Sequence, residues 1–109
     1  MQVAAVRMAV ALGRLADLGL YCTPRMLRHY ESLYGLDIPR TEGGQRLYTE
    51  ELVEKLRIIS VLTKFKLPKA FIRDVISEDL TPAYAEQLDE LIEMLMFIRD
   101  KLRRRSGMA

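Results

Sequence analysis

Tryptophan is absent from this 109-residue chain, and cysteine and histidine occur once each. A lone thiol excludes an intramolecular disulfide framework and suits a reducing compartment. One cysteine and one histidine cannot supply the several soft ligands that zinc or copper needs, so no metal or other cofactor is expected. Glycine (6) and proline (4) are scarce, and the apolar residues are mostly Leu, Ala, Val, Ile and Met. That composition favours helix. The apolar run from Val3 to Leu12 is too brief to cross a bilayer and is interrupted by Arg7. It also lacks the basic start and small-residue cleavage site of a signal peptide. A cytoplasmic protein without a membrane partner is therefore expected.

Catalytic patterns are missing too. No nucleophile stands beside a base, no phosphate-binding glycine loop occurs, and His29 is set among arginines. Asp74 and Glu78 share a helix face, but two carboxylates at that spacing are usually surface residues. An enzyme is not expected. The net charge of +2 conceals a division. Residues 1–75 carry 12 Lys/Arg against 8 Asp/Glu, and residues 76–109 carry 5 against 7. A basic front and an acidic rear place any anion binding in the front.

What is present is a series of helix starts. Thr23-Pro24 and Thr81-Pro82 each put a hydroxyl N-cap before a proline at the first helical position. Thr49 precedes Glu50 and Glu51, which suit the positive end of a helix dipole. Helices are predicted over Val3–Leu18, Pro24–Tyr34, Glu50–Phe65, Pro68–Ser77 and Pro82 to about Arg105. Between Ile38 and Tyr48, two strand-like pieces flank Gly43-Gly44, the turn chemistry of a small hairpin. The resulting domains are 1–80, with 1–11 as an extension, and 81–109.

The last helix carries Tyr84, Leu88, Leu91, Leu95, Ile98 and Leu102 at alternating three- and four-residue steps. That is a heptad seam, and it points to a homodimeric coiled coil over an amphipathic helix packed on its own domain. Ile92 and Met94 flank the seam, while Met96 and Phe97 lie off it. Those extra apolar residues leave a second contact open. Arg103–Arg105 form a solvated basic end.

The second helix has a different face. Arg25, Arg28, His29 and Ser32 share one side, and Leu27, Tyr30 and Tyr34 share the apolar side. A short helix that is basic outside and apolar inside suits the major groove of DNA, although a solvated charged face has the same pattern. The hairpin adds Arg40 and Arg46, one on each arm, beside Thr41, Gln45 and Tyr48. Such a ribbon can follow a phosphate backbone. Arg40 could instead pair with Glu42 or Glu51.

These residues resemble a known family. Met26-Leu27-Arg28-His29-Tyr30-Glu31, Gly35-Leu36, Pro39-Arg40, Gly44-Gln45-Arg46-Leu47-Tyr48 and Leu52 are similar to the MerR family of bacterial transcription regulators. Leu12-Gly13-Arg14-Leu15-Ala16 resembles the start of that family's first helix. Leu20-Tyr21-Cys22 stands where the family usually has Gly-Val-Ser, and Gln45 replaces a common aromatic. The resemblance implies a mainly α winged helix-turn-helix with a two-stranded wing, followed by a dimerising antiparallel coiled coil. It implies base or phosphate contacts from Arg28, with Tyr30 fixing the helix on the backbone. Arg46 and Tyr48 would hold phosphates through the wing, with Arg40 in support. Thr23, Arg25, His29 and Gln45 join the expected DNA-binding set. Cys22, in the turn before this helix, is expected to be a small buried filler.

A sequence-specific, homodimeric regulator of double-stranded DNA is thus the expected function, with RNA polymerase at the promoter as a further partner. A nucleoid, phage or plasmid accessory protein, or a coiled-coil adaptor, remains as an alternative. At this length little room is expected for a sensor domain.

Overall fold

A computed structural model describes residues 5–107 of the chain. It divides into two units, residues 1–77 and 78–109.

Among the described residues, the first unit begins with a strand. β1 (Ala5–Arg7) pairs antiparallel with β2 (Leu47–Thr49), in the register Ala5↔Thr49, Val6↔Tyr48 and Arg7↔Leu47. α1 (Met8–Asp17) follows directly. The expected helix from Val3 is therefore corrected within the described residues, while Val3 and Ala4 lie outside them. The physical reason is pairing. Strand alternation turns Val6 towards the core side opposite Tyr48 and leaves Ala5 and Arg7 exposed, and Arg7 is extended (φ −74°, ψ 164°) at the helix entrance.

α2 (Pro24–Tyr34) starts as its sequence predicts: the Met26 amide donates to Thr23 Oγ1 at 3.1 Å, and Pro24 occupies the first turn. It stops at Gly35, whose φ of 60° is left-handed, with the Leu36 amide donating to the Glu31 carbonyl at 3.0 Å. α3 (Glu50–Lys64) is capped in the same way, the Leu52 amide donating to Thr49 Oγ1 at 3.2 Å. Its end is closed by Lys66 at φ 60°, a conformation that costs a side-chain-bearing residue energy. α4 (Lys69–Ile76) completes the unit.

α3 is the central element, and α1, α2, α4 and β2 all pack on it. The core joins Ala11 and Leu15 of α1 to Leu27 and Tyr30 of α2. Leu52, Leu56 and Ile59 of α3, Ile72 and Ile76 of α4, Ile38 and Tyr48 complete it. Burial of each large side chain contributes on the order of 1.5–3 kcal/mol. Cys22 is half-buried beside this core, its Sγ 3.4 Å from Ser60 Oγ. The Ser60 hydroxyl donates to the Leu56 carbonyl at 2.7 Å, which leaves the thiol to donate to the serine oxygen.

The hairpin is slighter than expected. Its arms meet at one bridge, Arg40↔Arg46, and the two-stranded sheet is instead β1 with β2. The arm leaving the turn finds a better partner in β1, whose Val6 sits across from buried Tyr48.

The second unit contains α5 (Tyr84–Arg105), and none of its residues is buried. It begins two residues later than predicted. The Thr81 hydroxyl forms no cap. Instead, the Thr81 carbonyl accepts from the Tyr84 amide at 2.9 Å and the Pro82 carbonyl from the Ala85 amide at 3.0 Å. This tight turn leads into the helix with Ala83 as its cap residue. Among the described residues, no helix is long and apolar enough to cross a membrane.

Candidate nucleic-acid interface

The capped start of α2 fixes which side of the helix faces out. Leu27 and Tyr30 point into the core, and Arg25, Arg28, His29 and Ser32 are exposed along the opposite side. The His29 ring lies 6.1 Å from that of Tyr30 at a tilt of 47°. Thr23 is exposed at the mouth of the helix, with its oxygen engaged in the cap.

The wing stands beside this face. Thr41 organises its turn: its amide donates to the Gln45 carbonyl at 2.8 Å, its carbonyl accepts from the Gly44 amide at 2.9 Å, and its Oγ1 accepts from the Gln45 amide at 3.1 Å. Gly44 takes φ 83°, a conformation that glycine adopts without steric cost. Arg40 donates through Nη1 to the Gly44 carbonyl at 3.0 Å, so its side chain spans the loop that it opens.

Glu31 ties wing to helix. Arg46 Nε donates to Glu31 Oε2 at 2.7 Å, and Arg40 Nη2 lies 3.8 Å from Glu31 Oε1. The partner of Arg40 is thus Glu31 rather than Glu42 or Glu51. The short, charge-assisted Arg46 bond is half-buried and orients that guanidinium. The longer Arg40 pair is more exposed and contributes little.

Two expected contact residues lie elsewhere. Tyr48 is 0% exposed, and among the described residues its hydroxyl has no hydrogen-bond partner. Its phenol is pushed above the ordinary value of 10.0 by burial, against the opposing pull of Arg46. Tyr30 is also buried, and burial raises its phenol as well, with smaller contributions from Cys22 and Tyr34. The phosphate contact of Tyr48 is therefore corrected, since its ring is fully enclosed, whereas Tyr30 lies mainly in the core with an edge at a cleft it shares with Tyr21 and Met26. Both rings serve the core, because the faces that carry them pack against α3 and its neighbours.

One residue that the sequence reading did not single out comes into this site. Arg7 joins Met8 and Ala9, Arg28 of α2 and Gly44–Arg46 of the wing around a cleft of about 340 Å³. Three residues of strand are too few for a period-two signal, and Arg7 reads in the sequence only as an interruption of an apolar run.

The site combines a basic helix face, a tight turn ahead of it and an arginine-bearing wing. The sequence pattern of the MerR HTH family regulatory proteins matches residues 18–79, which include α2, the wing, α3 and α4. The chain belongs to the MerR family. No curated protein and no solved structure matches it. The MerR family is one of DNA-binding transcription regulators built on a helix-turn-helix, and α2 with its preceding turn occupies the matched region. β1 and α1 lie ahead of the match. Among the described residues, no group of three or more His, Cys, Asp or Glu side chains is placed to hold a metal ion.

Proposed function

We propose that this MerR-family chain is a sequence-specific transcription regulator that binds double-stranded DNA as a homodimer. The observation that carries the reading is the exposed Arg25, Arg28 and His29 face of α2 beside a wing that bears Arg40, Gln45 and Arg46. α2 enters the major groove, with Arg28 on bases or phosphates and Thr23 at its mouth, while the wing follows the backbone. Arg46 has only its Nε committed to Glu31, so its terminal nitrogens remain as donors for a phosphate.

The second unit supports pairing. Leu91, Leu95, Ile98 and Leu102 of the heptad seam are exposed, and Tyr84 and Leu88 are half-buried. Two copies of α5 in an antiparallel coiled coil cover that seam and present two recognition helices to a roughly palindromic operator. Bending of the operator brings RNA polymerase at a promoter into play as a further partner. The setting is the nucleoid in the cytoplasm.

A labelled duplex titrated by fluorescence anisotropy across a salt series tests the reading. The log–log salt slope is expected to flatten by about 0.9 for each phosphate contact removed by Arg28→Ala or Arg46→Ala. Absence of duplex binding at low salt, or binding indifferent to both substitutions, contradicts it. One observation favours a second reading, a coiled-coil adaptor: Met96 and Phe97 are exposed on α5 away from the seam. Under that reading α5 self-associates, yet duplex DNA is not bound.

A further inference from the structure

We propose that Arg7 is the third arm of a phosphate seat for duplex DNA, completed by Arg28 of α2 and Arg46 of the wing. The proposal rests on the DNA-binding reading and adds to it a strand that precedes the matched family region. β1 is held by its main-chain pairing with β2, and the register Arg7↔Leu47 sets Arg7 next to the residue that follows Arg46. Alternation along the strand turns Val6 inward and leaves the Arg7 side chain exposed. Three arginines from separate parts of the sequence therefore line one cleft.

The lining of that cleft includes no carboxylate. Glu31 neutralises Arg46, but among the described residues neither Arg7 nor Arg28 has an ion pair. Like charges gathered in this way repel one another, and a bound anion relieves the repulsion. Gly44 at the rim carries no side chain to shield the cleft. The site lies between the recognition helix and the wing, where a backbone phosphate passes when both engage a duplex. An arginine fork is suited to two oxygens of one phosphate.

The test uses the full chain, a labelled mixed-sequence duplex and an anisotropy titration over a salt series. A phosphate contact weakens binding across sequences alike, so no operator is required. Arg7→Gln is expected to weaken low-salt binding roughly three- to tenfold and to flatten the log–log slope by about 0.9 per protomer. Arg7→Lys, which keeps the charge, restores most of the slope. Arg57→Gln, an exposed arginine of α3, leaves both unchanged. If the unmodified chain binds and Arg7→Gln behaves like Arg57→Gln, the seat is wrong and the DNA-binding reading stands. If the unmodified chain binds no duplex, both fall. Equal losses in Arg7→Gln and Arg7→Lys, each with a lowered melting temperature, assign the effect to the strand and overturn the seat.

Discussion

Leu56 and Leu95 are both leucines near the middle of a helix, yet the first is 0% exposed and the second 54%. Leu56 of α3 is enclosed by helices and a strand from its own unit. Leu95 of α5 belongs to a unit in which no helical residue is buried. Propensity does not separate the two helices, since both are rich in good helix formers. What differs is that the apolar face of α3 is covered within its own unit, while the apolar residues of α5 are exposed. A helix of 22 residues that is apolar through Leu91–Ile98 on more than one side is marginal alone in water. The first unit thus carries its own reason to fold, whereas α5 leaves its apolar seam exposed, the surface that the proposed dimer would cover.

Substitutions at the two leucines test this difference most strongly. Leu56→Ala is expected to cost about 2–5 kcal/mol of stability, measured by urea unfolding, because the cavity it leaves is closed on all sides. Leu95→Asp puts a charge in the seam and is expected to convert a dimer into a monomer in sedimentation velocity. A dimer that survives Leu95→Asp would remove the seam from the account.

Smaller effects sharpen the first unit. Tyr48→Phe removes a buried hydroxyl that lacks a partner among the described residues, and a gain of about 1 kcal/mol or no change is expected. Burial raises the Tyr48 phenol above 10.0 in the folded chain. The folded state therefore holds this proton more tightly, and the associated stability is full below pH 10 and lost as pH rises through the raised value. Tyr48→Phe should flatten the alkaline limb of a stability–pH profile. A loss of duplex affinity in Tyr48→Phe would return the hydroxyl to the phosphate backbone. Smallest of all, Glu31→Gln should change stability by less than about 1 kcal/mol, since its pairs are only partly buried. It should also strengthen duplex binding, because a negative charge leaves the arginines of the wing.

Local chemistry was legible in the sequence wherever one segment contains it. Thr23-Pro24, Thr49 and Gly35 mark helix ends by bonds within a few residues, and the face of α2 follows from helical spacing. Thr81 shows the limit of that argument, since the same hydroxyl–proline pair leads into a turn whose bonds come from carbonyls. Long-range partners were not legible. Nothing near Arg46 names Glu31, 15 residues away, as its ion-pair partner. Nothing in Ala5–Arg7 names β2 as the strand that would draw it out of a helix. Tyr48 was misplaced for a related reason: an aromatic beside a wing arginine suits a phosphate contact and a core equally well. The strand pairing decides between them by setting Val6 opposite it.

Hydrogen–deuterium exchange of the full chain at two protein concentrations, one above and one below its self-association range, addresses the contrast between the units most directly. The amides of α3 around Leu56 and Ile59 should keep their protection on dilution, while those of α5 from Leu91 to Ile98 should lose theirs. Protection of α5 that is high and independent of concentration would contradict the account.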